Sequence, residues 1–92
     1  METIRLANFT MCKMGVEEYN STYGANAQEQ YGHNLTGLIW FEQYNKEGEV
    51  VAMSGELALE YEDGTFAHTS RGTVQKCDLY YALEVIMWLE EL

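Results

Sequence analysis

Proline is absent from all 92 residues. No position therefore fixes φ through a ring, and turns must come from glycine and polar residues. Basic residues are scarce. Five Lys and Arg stand against fifteen Asp and Glu, a formal charge of -10. That deficit excludes the basic footprint of a nucleic-acid binder and disfavours docking on an anionic membrane. Cysteine is limited to Cys12 and Cys77, with no CxxC pair. Two reduced thiols are the expectation, and a single Cys12–Cys77 disulfide is the other arrangement they allow. No apolar run reaches the ~18 residues of a membrane span. The start of the chain lacks the charged-then-apolar pattern of a signal peptide. The expected location is cytoplasmic, and the N-x-S/T triplets at Asn8, Asn20 and Asn34 read as chance.

What is present describes a folded domain. The chain is 47% hydrophobic and 13% aromatic, which excludes acidic disorder. Residues 1–92 make one domain, small enough to bury only roughly 60–65% of its unfolded surface. Such domains often gain stability by oligomerisation.

Periodicity supplies the expected elements. Thr3 to Phe9 reads as a strand with Ile4 and Leu6 on one face. Gly15 opens a helix through Val16 to Tyr19, Gly24 interrupts it, and Ala25 to Tyr31 is helix-compatible. Tyr19, Tyr23 and Tyr31 fall at multiples of four, and such a stripe reads as core. Leu35 to Tyr44 is rich in aromatic and β-branched residues, as strands are. After a turn at Lys46, Glu47 and Gly48, apolar residues from Val51 to Tyr61 alternate with acids and small residues. Asp63-Gly64 is a hairpin signal, and Thr65 to Thr69 returns. Residues 35–70 thus read as a three-stranded antiparallel meander.

Residues 74–92 read as one helix, capped by Thr73 or Asp78. Leu79, Leu83 and Ile86 form one apolar stripe. Tyr81, Val85, Trp88 and Leu92 form a second, on the other side. One sheet covers one stripe, so the second calls for the first helical segment or a second copy of the chain, and a homodimer interface is the prediction. The expected fold is α+β. It has a small antiparallel sheet of three to four strands, a C-terminal helix on one face, and one or two short helices near the N-terminus.

Chemistry is hard to find. His33 and His68 are far apart in sequence, and neither they nor the cysteines have metal-ligand spacing. Cys77 can approach His68, but it reads as a small apolar filler. No glycine-rich phosphate loop occurs. No catalytic residue, metal or cofactor is expected.

The acids remain. Six lie between Glu47 and Asp63 with no base among them, and four more follow Cys77. Glu56, Glu60 and Glu62 are expected on one strand face. Residues two apart on a strand are ~6.7 Å apart. Successive phosphates of a nucleic-acid strand are spaced by about 6–7 Å, against an axial rise of ~3.4 Å. A carboxylate row can therefore imitate a phosphate row. The competing reading is a solvated face that keeps the protein soluble. The candidate surface comprises Glu42, Glu47, Glu49, Glu56, Glu60, Glu62, Asp63, Glu84 and Glu91.

The segments ETIRLANF, YGANAQEQYGHN, TGLIWF and YYALEVIMWLEEL, with this size and acidity, resemble the Arn anti-restriction family of T-even phages. The resemblance covers the layout of the whole chain and transfers no individual residue. It implies a homodimeric DNA mimic without catalysis, acting in the host cytoplasm. It further implies a basic DNA-binding partner such as a McrBC-type restriction nuclease. Acidic anti-CRISPR proteins have a similar profile. The competing functions are an immunity protein or antitoxin for a basic toxin, and a small enzyme using Cys77.

Overall fold

The computed structural model describes residues 1–92. In chain order its elements are β1 (Glu2–Arg5), β2 (Thr10–Gly15), α1 (Val16–Tyr23), α2 (Ala27–Tyr31), β3 (Leu35–Tyr44), β4 (Val50–Ser54), β5 (Ala58–Tyr61), β6 (Phe66–Ser70), β7 (Thr73–Cys77), α3 (Leu79–Ile86) and β8 (Leu89–Glu91). All strand pairs are antiparallel. The sheet has eight strands, running β1-β2-β3-β5-β6-β7, with β4 on β3 and β8 on β4.

The expected sheet of three to four strands is therefore wrong by half, and three segments of the chain account for the difference. Thr10–Gly15 is a strand paired along β3, where the sequence carries little alternation. The segment read as one strand from Val51 to Tyr61 is two. β4 and β5 lie end to end along the same edge of β3. Met53 pairs with Glu42 and Ala58 with Ile39. Four residues, Ser54 to Leu57, thus face the two residues Trp40 and Phe41. That excess bulges the chain outward and frees β4 and β5 to take different outer partners, β8 and β6.

The third difference is the C-terminal helix. Thr73–Cys77 is β7, a hairpin partner of β6. Its turn is Arg71-Gly72, with φ of +51° and +84°, the paired positive values of a two-residue hairpin. Asp78 then caps α3, its carboxylate accepting the Tyr81 N–H at 2.8 Å. The helix ends at Ile86. Leu89–Glu91 instead satisfies the free edge of β4, pairing Ser54 with Leu89 and Ala52 with Glu91. Backbone hydrogen bonding along an open strand outweighs continued helical periodicity there.

The sheet is covered on both faces. Cys12, Met14, Leu38, Trp40, Leu59 and Tyr61 pack beneath Val16 of α1 and Ala27 of α2. Ile39, Phe41 and Ala58 pack against Ala82 and Ile86 of α3. Two-sided burial explains why Leu38, Ile39, Trp40 and Phe41 are buried in succession. A centrally covered strand reads as a continuous apolar run. α1 ends where Gly24 takes the left-handed conformation, φ +60°, which glycine adopts at low cost.

β1 is different. Its four residues are all exposed, and it pairs only with β2. Ile4 and Leu6 share no buried face, since both are exposed. No helix is long and apolar enough to cross a membrane.

Candidate interaction surface

The nine candidate acids fall into two populations. Glu42, Glu56 and Glu60 are half-buried, and each carboxylate is engaged within the fold. Glu56 lies in the bulge rather than on a strand. It accepts the Thr69 hydroxyl at 2.7 Å and the Arg71 N–H at 3.2 Å. The Thr69 oxygen in turn accepts the Leu57 N–H at 2.9 Å. One carboxylate thus ties the bulge to the β6–β7 turn and supports the positive φ of Arg71. Glu60 pairs with Lys13 at 3.2 Å, across β3. Glu42 accepts the Trp40 indole N–H at 2.9 Å and the Tyr44 hydroxyl at 2.8 Å.

Glu47, Glu49, Glu62, Asp63, Glu84 and Glu91 are exposed. Glu47 and Glu49 sit in the β3–β4 hairpin, where the Asn45 side chain accepts both of their backbone N–H groups, at 3.0 and 2.9 Å. Asp63 opens the β5–β6 turn. It accepts the Thr65 hydroxyl at 2.6 Å and the Thr65 N–H at 3.1 Å. Those bonds, the hydroxyl first, hold its carboxyl below the usual range. Glu84 lies on α3 and Glu91 on β8. The expected row of Glu56, Glu60 and Glu62 is not a row of equals. Two of its members are bound within the fold, and Glu62 alone is free of side-chain partners.

The four expected interface residues are separated by the broken helix. Tyr81 and Val85 are on α3, Trp88 is in the link to β8, and Leu92 follows β8. Trp88 is 81% exposed, and Leu92 and Tyr81 are also exposed, while Val85 is half-buried. Tyr81 borders the buried His68 ring at 5.9 Å between centroids. His68 Nδ1 lies 2.9 Å from the Thr69 carbonyl, to which it donates.

Two main concavities open on the surface. The larger, about 1050 Å³, lies between residues 3–10 and the β3–β4 hairpin. Arg5 and Lys46 line it, and no carboxylate, histidine or thiol does. The smaller, about 450 Å³, is an apolar cleft of Leu6, Phe9, Met11, Phe41, Tyr80, Leu83 and Met87, with Glu84 at its side.

Both thiols are free, and no disulfide joins them. Cys12 packs in the α1/α2 core and Cys77 against the α3 core, four strands away across the sheet. Four strand spacings are roughly 19 Å, beyond the reach of a bridge. Burial, followed by the Glu42 charge, pushes the Cys12 thiol up to about 11. Burial and then Asp78 also raise the Cys77 thiol. Neither is an activated nucleophile. No group of three or more His, Cys, Asp or Glu is arranged to hold a metal ion.

Sequence reasoning placed Glu42 among the diffuse acids and missed its aromatic neighbours. The signal was present in WFEQY. Trp40, Glu42 and Tyr44 alternate, and alternate residues of a strand share a face. No protein-family model, curated protein or solved structure matches the chain, so the resemblance seen in the sequence gains no support from them.

Proposed function

We propose that this chain is a non-enzymatic acidic inhibitor, a DNA mimic that acts as a homodimer on the DNA-binding site of a host defence protein. One observation carries the reading. Of fifteen acids, only Glu18 and Glu60 meet a cation, Glu18 through the N-terminal ammonium. The other thirteen have no cationic partner within the fold. Such uncompensated charge carries a cost in self-repulsion, and a basic groove would relieve it.

The shape is compatible with the reading. The long axis measures 38 Å, comparable with about eleven base-pair rises of ~3.4 Å. A dimer through the exposed Tyr81, Trp88 and Leu92 would cover apolar surface that α3 leaves open. A second reading has its own support. Trp88 is a large exposed aromatic of the kind that anchors protein interfaces, as an immunity protein or antitoxin would need.

Capture from a host lysate, followed by salt elution and competition with duplex DNA, tests both readings. A mimic elutes steeply with salt and is displaced by duplex. A captured target that holds DNA and this protein together overturns mimicry and favours the second reading. Sedimentation of Trp88→Glu tests the dimer. The parent should sediment as a dimer and the variant as a folded 10.6 kDa monomer. A monomeric parent at micromolar concentration overturns that part.

A further inference from the structure

Glu42 is the one half-buried carboxylate whose geometric hydrogen-bond donors are all aromatic side chains, and the Cys12 thiol lies close enough to feel its charge. Trp40 and Tyr44 flank it on the same face of β3 and each donates to a different carboxylate oxygen, at 2.9 and 2.8 Å. Tyr19 of α1 stands edge-on to Trp40, with centroids 6.3 Å apart. Tyr23, one helical turn on, lies 4.9 Å from Tyr19. Tyr23 is also near enough to Glu42 that the carboxylate, after burial, raises its hydroxyl pKa. Four rings thus gather about one negative charge. Neither ion pair of the protein includes Glu42.

The cup is open. Trp40 and Tyr19 form its closed side, while Tyr23 and Tyr44 are 54% and 41% exposed. Each oxygen of Glu42 has received one hydrogen bond, and a carboxylate has about four lone-pair sites. Acceptor capacity therefore remains on both oxygens. We propose that this cup is a binding site for an organic cation, specifically the guanidinium of an arginine side chain. A planar guanidinium stacks on an exposed tyrosine face while two of its N–H groups reach the two carboxylate oxygens. A lysine ammonium or a quaternary ammonium lacks that fork.

The inference stands apart from the inhibitor reading, because it concerns the isolated protein and one small cation. Failure to inhibit any defence protein would leave it untouched. Where the inhibitor reading also holds, the cup would seat one arginine of the basic partner.

The test is a titration of the isotopically labelled protein with methylguanidinium chloride, following the Trp40 indole N–H resonance. Sodium chloride at matched ionic strength and tetramethylammonium chloride are the controls. Methylguanidinium should give a saturable shift with a midpoint in the millimolar range. Glu42→Gln should raise that midpoint about tenfold or more. Tyr23→Ala, which removes an outward ring, should raise it severalfold with the fold intact by circular dichroism. A shift that fails to saturate, or that sodium chloride reproduces, overturns the site. An unchanged midpoint in Glu42→Gln does so too. Equal affinity for tetramethylammonium overturns the guanidinium assignment. Should Glu42→Gln fail to fold, Tyr23→Ala decides alone, and an unchanged midpoint there overturns the proposal.

Discussion

Glu56 and Glu62 sit six residues apart in a stretch where acids and apolar residues alternate, yet their surroundings differ in kind. Glu56 is folded into the β4–β5 bulge and binds the Thr69 hydroxyl and the Arg71 N–H. Glu62 stands just past β5 in a turn, exposed, and its backbone N–H alone is engaged, by the Asn34 carbonyl. One acid is a structural acceptor, and the other contributes field. Acidic composition thus overstates the charge free to meet a partner, and a replacement series that mixes the two kinds would confuse misfolding with lost binding.

The largest separation between the two kinds should come from Glu56→Ala against Glu62→Ala. Thr69 is 5% exposed, so its hydroxyl would lose its acceptor away from solvent. The Arg71 N–H would lose its acceptor at a position already held at φ +51°. An unsatisfied buried donor costs about 1–3 kcal/mol. In a domain of this size each kcal/mol lowers Tm by roughly 4–8 °C. Glu62→Ala should change stability by no more than about 0.5 kcal/mol. Thermal melts of the two variants check this, and equal melting temperatures would erase the distinction.

A smaller effect separates Glu42 from the exposed acids by way of Tyr44. The hydrogen bond to Glu42, with burial and the Glu42 charge behind it, pushes the Tyr44 hydroxyl up to about 12 from its ordinary value of 10.0. The neutral phenol is therefore favoured in the fold. Its contribution is fully present below the unfolded pKa and is lost as pH rises from about 10 to about 12. Spectrophotometric titration should show Tyr44 as the latest step in the parent, behind Tyr23, Tyr31 and Tyr61, whose hydroxyls burial also raises. In Glu42→Gln, which removes the charge, that step should move back toward 10. A late step that persists in Glu42→Gln would mean that burial, rather than the carboxylate, controls the phenol.

These differences also mark what the sequence could disclose. Local signals were legible where one residue decides the outcome. Gly24 terminates α1, and Asp63-Gly64 turns β5 into β6. Asp78 caps α3, one of the two caps foreseen. Long-range pairing was not legible. Leu89–Glu91 continues a helical pattern and becomes a strand because β4 offers it an edge 35 or more residues upstream. The same holds for the acids. Alternation assigned Glu60 to a face, but the Lys13 that neutralises it arrives from β2 across β3. Trp88 is the converse case. Helical periodicity put it beside Tyr81 and Val85 on one stripe, and its exposure survives although the helix ends before it.

The smallest stability effect, and the one most informative about function, belongs to the exposed acids taken together. Glu47, Glu62, Glu84 and Glu91 lie outside both ion pairs, and none of their carboxylates is hydrogen-bonded within the fold. Replacing all four by glutamine keeps side-chain size and removes four of the ten net negative charges. Exposed charges contribute little individually to stability, and lowering a large net charge relieves self-repulsion. The quadruple variant should therefore melt at or slightly above the parent temperature. Its association with a basic target should nonetheless slow, and the dependence of the on-rate on salt should flatten, because steering follows net charge. Stopped-flow association at two ionic strengths measures both quantities. A variant that associates as fast as the parent, with the same salt dependence, would show that these four carboxylates do not steer the encounter.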